Sequence, residues 1–279
     1  MTIIMMTYLT HLLVDFIFQR DTTVEIKSGK MSWQKTKCLL GHAVISNLVI
    51  GLALYFITWI SQQFIYGGNH DAFNLLDYFL ILLWISGFHF VLDAMKHPIQ
   101  LWLKKHWFTK QSDVVTYALD QILHLFSIFL AITIILGSSR LAAAYTQLQT
   151  SLKGGNVIVI LQGILILLIL ETKFSEYFIK KFLTGTGVIP TAETTSSNDD
   201  SPKYHLGGYI GNLERIMITI FFLSNSIPSI SIVVAIKAVT RFKTLENNSD
   251  FAEYYLLGSI LSLLLGCLFP LIVHQLFYA

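Results

Sequence analysis

Long apolar stretches alternate with short polar loops along the whole chain. Eight of these stretches approach or exceed the roughly 20 residues that an α-helix needs to cross a bilayer. They predict helices over about 2–19, 36–65, 75–95, 114–136, 157–182, 208–225, 229–242 and 251–277. The predicted fold class is therefore all-α, a polytopic integral membrane helical bundle with about eight transmembrane helices.

Two prolines modify this pattern. Pro98 lacks the N–H that would continue an undisturbed helix, so the third helix is predicted to end before it. Residues 98–110 then alternate apolar and basic side chains, which is typical of an amphipathic segment on the membrane surface. Pro228 follows a polar turn and predicts a break between the sixth and seventh helices. The seventh helix is short for a full crossing.

Composition supports a membrane protein and excludes some other classes. The chain has 279 residues, of which 54% are hydrophobic and only 13% charged, whereas soluble domains carry about 25% charged residues. The net charge of +2 comes without a basic stripe, so contact with nucleic acid is not expected. The two cysteines, Cys38 and Cys267, fall in different predicted helices and lack the spacing of a metal site.

Basic residues are concentrated in alternate loops. They cluster in 20–37, 96–110, 173–203 and 241–243, whereas the other loops hold only Arg140 and Lys153. By the positive-inside rule the basic loops are cytoplasmic, and both termini lie outside. The lipid bilayer is thus the first predicted partner.

One low-complexity segment divides the chain. Residues 185–206 are rich in Thr, Ser, Asn and Asp and contain few apolar side chains, which predicts a flexible cytoplasmic linker. The expected organisation is an N-terminal membrane module over 1–184, the linker over 185–206, and a C-terminal membrane module over 207–279.

Three predicted helices each carry a histidine and an aspartate four residues apart, a spacing that places both on one helix face. By the predicted orientation, each carboxylate lies nearer the cytoplasm, with its histidine about 6 Å deeper, one helical turn. Ionisable groups in a membrane usually face a bundle interior or an aqueous cavity. The pairs are His11 with Asp15, His89 with Asp93, and Asp120 with His124.

Matched depth and facing favour one shared site at the cytoplasmic end of the bundle. Neutral imidazole and carboxylate are suitable ligands for a divalent metal such as Zn, Mn or Fe. The candidate metal ligands are His11, Asp15, His42, His89, Asp93, Asp120 and His124. Asp15, Asp93 and Asp120 are also the candidate catalytic residues, because a carboxylate beside the metal can act as general base on bound water. The alternative is that these side chains only join neighbouring helices.

A second group of charges lies in the C-terminal module. Its members are Glu214, Arg215, Lys237 and Arg241, at the predicted cytoplasmic end of the sixth and seventh helices. They are either a structural ion network that holds the helices together or a site for a phosphate-bearing or lipid substrate. The sequence favours neither interpretation.

The motifs of the first half resemble a known family. His11-x-x-x-Asp15-Phe16-x-x-Gln19, His89-Phe90-x-x-Asp93 and Asp120-Gln121-x-x-His124 are similar to those of a bacterial polytopic membrane family, a domain of unknown function. The pattern also resembles membrane-bound metal-dependent hydrolases, although the paired-histidine turn of that family is reduced here to Gly41-His42-Ala43. The resemblance implies a bacterial inner (cytoplasmic) membrane location.

Three functions are consistent with these features. The first is a metal-dependent hydrolase of a membrane-associated substrate. The second is a secondary transporter or a proton- or ion-coupled carrier that uses the same His and Asp pairs. The third is a non-catalytic scaffold whose basic loops bind a cytosolic protein. The sequence does not specify an oligomeric state.

Overall fold

The structure, a computed structural model, describes residues 2–19, 21–30, 32–60, 75–107, 109–187, 206–247 and 249–278. All regular elements in these ranges are helical, which confirms the all-α prediction. The helices are α1 Thr2–Phe16, α2 Asp21–Ser28, α3 Trp33–Ile60, α4 Leu75–His106, α5 Ser112–Leu136, α6 Ser138–Lys153, α7 Val157–Ile169, α8 Ser175–Thr186, α9 Leu206–Leu223, α10 Ile227–Asn247 and α11 Ser249–Tyr278. A π-helical segment, Leu170–Phe174, connects α7 to α8.

The chain forms two compact units, Met1–Ile166 and Leu167–Ala279. In the first unit, α1, α3, α4 and α5 pack around a shared apolar core. Its fully buried members include Ile50 and Leu54 of α3, Ile81 of α4 and Ile128 of α5. In α4 the core residues precede the predicted site residues in sequence, and in α3 and α5 they follow them. Antiparallel neighbours therefore place the apolar core and the polar residues at different levels of one bundle.

Five of the described helical runs are long and apolar enough to cross a membrane: Trp33–Phe56, Phe79–His106, Ser112–Ile135, Val157–Thr186 and Ser249–Gln275. A shorter apolar run, Ile4–Phe16, lies in α1. These runs keep large apolar side chains exposed, as expected where lipid rather than water is the neighbour. The chain is thus a multi-pass membrane protein that contacts the lipid bilayer.

The third predicted helix does not end before Pro98. Helix α4 continues through that proline to His106, so the prediction of a separate surface segment is wrong. A proline removes one backbone hydrogen bond, and packing compensates for it here. Leu103 is buried beyond the proline, and the Gln100 amide donates a hydrogen bond to Asp113 of α5.

Two short helices fall where loops were expected, α2 and α6. Both helices are too polar on average to be identified by a search for membrane-spanning apolar stretches. The break near Pro228 is confirmed: α9 ends at Leu223, Asn225 has a positive φ of 54°, and α10 begins at Ile227. Helix α10 is longer than the expected 229–242.

The second unit contains the π-helical segment, α8, α9, α10 and α11, with α9 packed on both α10 and α11. The predicted linker, 185–206, falls almost entirely on 188–205, which lie outside the described residues. The three-part division of the chain at that linker stays a prediction.

Candidate metal centre

Three helices of the first unit bring three of the predicted histidines together around Asp15. Its Oδ1 accepts a hydrogen bond from His42 Nε2 at 3.0 Å and lies 3.7 Å from His89 Nε2. Its Oδ2 lies 3.8 Å from His11 Nε2. Residues from α1, α3 and α4 thus meet at one carboxylate, as their matched positions along the predicted helices indicated.

The imidazole rings also pack on one another. His11 stacks on His124 with ring centroids 4.8 Å apart, and His42 stacks on His89 at 4.9 Å. His89 and His124 meet edge to face at 4.6 Å. All four side chains are buried, so the rings form a compact imidazole layer inside the bundle.

Several ring nitrogens in this layer lack a hydrogen bond. His124 directs Nδ1 to the backbone oxygen of Asp120 at 2.8 Å, which orients its Nε2 as a free acceptor. That Nε2, the Nε2 of His11 and both nitrogens of His89 are buried without a hydrogen-bond partner among the described residues. Buried polar atoms are normally satisfied, so these ring nitrogens are available to bind a ligand.

The other two aspartates contact lysines. Asp93 lies 2.6 Å from Lys27 Nζ through one oxygen and 2.6 Å from Lys96 Nζ through the other. Lys96 also reaches Asp120 at 2.9 Å, and Gln121 donates a hydrogen bond to that carboxylate at 3.1 Å. Each buried carboxylate therefore has a cation beside it, which reduces the cost of desolvating its charge.

Sequence reasoning assigned these lysines only to the basic loops. Lys96 had a local signal, because it lies three residues after Asp93 and shares its helix face. Lys27 had none, since it reaches the site from the unpredicted helix α2. Another buried lysine, Lys35, lies outside the site: it donates to the backbone oxygen of Gly29 at 2.9 Å and holds the start of α3 beside α2.

Three groups of side chains could hold a metal ion, each with ligand atoms within 4.8 Å of one another: His11, His89 and His124; Asp15, His42 and His89; and Asp93, Asp120 and His124. The first two share His89 and avoid the lysine-bound carboxylates. Among the described residues, Asp15 is the one aspartate of the site without a lysine in ion-pair range. The imidazole layer with Asp15 is therefore the donor set of the site that could hold a metal ion without displacing a lysine.

The predicted charges of the second unit have different contacts. Lys237 pairs with Glu214 and lies 5.6 Å from the centroid of the Tyr255 ring. Arg215 is buried and hydrogen-bonds elsewhere, and Arg241 is exposed. Only Glu214 and Lys237 of the four predicted residues make an ion pair, and the phosphate-binding role stays a prediction.

The model of one family, DUF3307, described as a protein of unknown function, matches residues 3–153. The match covers more than half of the 279 residues, so the chain belongs to this family. It includes every histidine and aspartate of the candidate centre. No curated protein and no solved structure matches the chain, and the likeness to metal-dependent hydrolases stays a prediction.

Proposed function

We propose that this member of the DUF3307 family binds one divalent metal inside its first unit, through His11, His89 and His124 with Asp15 beside them. The observation that carries the proposal is that His11, His89 and His124 each have a buried ring nitrogen without a hydrogen-bond partner among the described residues. The same three residues offer ligand atoms within 4.8 Å of one another. A metal ion would bind one nitrogen from each of the three rings. Imidazole and carboxylate ligands are typical of Zn, Mn and Fe sites.

The reaction supported best is hydrolysis of a membrane-associated substrate. When bound, the metal would make a coordinated water acidic enough to act as a nucleophile near neutral pH. Asp15 is held by His42 and so can orient or deprotonate a group at the centre. Asp93 and Asp120 are also candidate ligands or bases, and their lysines would have to move aside for direct metal contact.

The location and topology belong to the same proposal. We infer a bacterial inner membrane, about eight crossings and both termini outside, because basic residues recur in every second loop. In that orientation the carboxylates of the centre face the cytoplasm. A phosphate-bearing head group held by exposed Arg241 and its neighbours would lie on the same side.

A second candidate function, proton or ion transport, is supported by the lysine bridges. Asp15, His89, Asp93, Lys96 and Asp120 form a chain in which each group lies within 3.7 Å of the next. Intramembrane chains of ionisable groups serve as relays in pumps and transporters. Such a relay would work without a metal, and this difference separates the two functions.

Metal analysis tests the proposal. The protein is purified in detergent without chelators, incubated with Zn, Mn or Fe, and desalted. Inductively coupled plasma mass spectrometry should then show one of these metals at about one ion per chain. His124→Ala should lose most of that metal, because it removes a free buried nitrogen. His106→Ala is the matched control, since His106 is exposed on α4 and should leave the metal content unchanged.

Wild-type protein that elutes as a folded species yet retains no metal would contradict the metal site and favour the relay. Equal metal loss in both variants would also contradict it, since the metal would then be bound non-specifically.

A further inference from the structure

The helix that begins the second unit contains a local irregularity. Val157–Thr186 is one apolar run, but residues Leu170–Phe174 within it are π-helical. Single π-turns inside α-helices occur frequently at functional sites. This one carries Glu171, whose side chain is only 1% exposed. The segment lies outside the residues that match the family model.

Glu171 has few hydrogen-bonding partners for a buried acid. Its Oε1 accepts a hydrogen bond from the hydroxyl of Thr219 at 3.0 Å. Its Oε2 is buried and has no partner among the described residues. An ionised carboxylate with one neutral donor in an apolar helix bundle would be poorly stabilised.

A nearby arginine makes no ion pair with this carboxylate among the described residues. Arg215 donates through Nε to the backbone oxygen of Glu171 rather than to its side chain. Its other donors reach Ser262 at 3.3 Å and the side-chain oxygen of Asn212. The ion pairs among the described residues do not include one between Arg215 and Glu171, although arginine commonly binds carboxylates through two parallel bonds.

We propose that Glu171 is a proton-binding site of the second unit, independent of the metal centre, which holds its proton in this arrangement and exchanges it with water. A neutral carboxyl explains both the bare oxygen and the absence of an ion pair. Thr219 suits both states, because a hydroxyl can accept a hydrogen bond from the acid or donate one to the anion. On release the carboxyl O–H bond breaks, the proton passes to a water molecule, and Arg215 is near enough to stabilise the charge.

A bound metal cation fits this place less well, since Glu171 and Thr219 supply few of the oxygen ligands that hard cations need. The groups that face Glu171 come from each helix packed on the π-helical segment. Cys267 of α11 and Arg215 of α9 interact with it electrostatically. Arg215 also interacts with Glu176 of α8. Arg215 is the cation among these groups, and it stabilises the carboxylate of Glu171 after the proton leaves.

A hydrophobic carbodiimide tests the protonation state directly. A protonated carboxyl adds its O–H across a carbon–nitrogen double bond of the reagent, and the acyl group then migrates to nitrogen as a stable acylurea. Trypsin cleavage after Lys153 and Lys173 yields the peptide 154–173, in which Glu171 is the one carboxylic side chain. Labelling before digestion therefore assigns any modification of that peptide to Glu171.

Two controls come from the same digest and from one variant. The next peptide, 174–180, contains Glu176 as its one carboxylic side chain, and Glu176 is half-buried and hydrogen-bonded to Asn212. Glu171→Gln keeps the size of the side chain and removes the reactive acid. We expect labelling of 154–173 that falls at least several-fold as pH rises, weaker labelling of 174–180, and no label on the first peptide in the variant.

Infrared spectroscopy of the membranes covers the case in which the reagent cannot enter. A protonated carboxyl band that titrates with pH and is absent from Glu171→Gln supports the proposal. If neither the label nor the band is found, Glu171 is ionised and the proposal is wrong. Labelling that stays constant at every pH would contradict proton exchange between Glu171 and water. Labelling that sodium suppresses at constant pH would show that Glu171 binds a metal cation instead.

Discussion

Lys96→Met removes the ammonium group that joins two buried carboxylates of the candidate centre. Lys96 Nζ lies 2.6 Å from Asp93 and 2.9 Å from Asp120. Without it, Asp93 keeps Lys27 at 2.6 Å. Asp120 keeps the amide of Gln121 and the imidazole of His124 at 3.4 Å, but no lysine among the described residues. The variant therefore leaves Asp120 as the uncompensated charge.

The expected loss of stability follows from that geometry. Breaking a buried ion pair costs about 3–5 kcal/mol, and the lower end applies because the Lys96 side chain is 25% exposed. For a domain of this size each kcal/mol lowers Tm by about 2–4 °C, so the variant should melt roughly 6–12 °C below wild type. Lys104→Met, on the exposed side of the same helix, should change Tm by less than about 2 °C.

Two double variants, each containing Lys96→Met, identify which carboxylate is left unpaired. Adding Asp120→Asn to Lys96→Met removes the stranded anion and should recover at least half of the lost Tm. Adding Asp93→Asn instead removes the aspartate that pairs with Lys27 and leaves Asp120 without a lysine, so it should recover none. Thermal unfolding of the wild type and the four variants in one detergent, followed by circular dichroism, measures these differences. Equal melting of Lys96→Met and Lys104→Met, or equal effects of the two second substitutions, would refute the charge-pairing argument.

Two further predictions concern packing and topology. Gly266→Ala places a Cβ 3.2 Å from Ile218 Cγ2 and should lower the free energy of unfolding by about 1–3 kcal/mol. In the control Gly258→Ala, the nearest atom lies at 3.5 Å, so stability should be nearly unchanged. Equal melting temperatures of the two variants would contradict this prediction. In a chain without other cysteines, an impermeant reagent applied to whole cells should label a cysteine at Tyr66 and not one at Lys30, and the reverse pattern would overturn the proposed orientation.

Much of the fold follows from local pattern. Long apolar runs specify helices, and a spacing of four places His11 and Asp15 on one face whatever the rest of the chain does. The turn before Pro228 was likewise readable, because Asn225 tolerates a positive φ. The end of α4 was not, since a contact that stabilises the helix past Pro98 comes from Asp113 of α5, the next helix.

The sequence by itself determined that this is an all-helical membrane protein with His and Asp pairs on matching helix faces. Only the tertiary structure decided how those pairs are used. It placed Asp15 among histidines, and it placed Asp93 and Asp120 among lysines that include one from the unpredicted helix α2. It also buried Glu171 against Thr219 of α9, a residue 48 positions later in the sequence. Spacing along a helix fixes which side chains share a face, but partners on other helices set the charge and hydrogen bonding that each group meets.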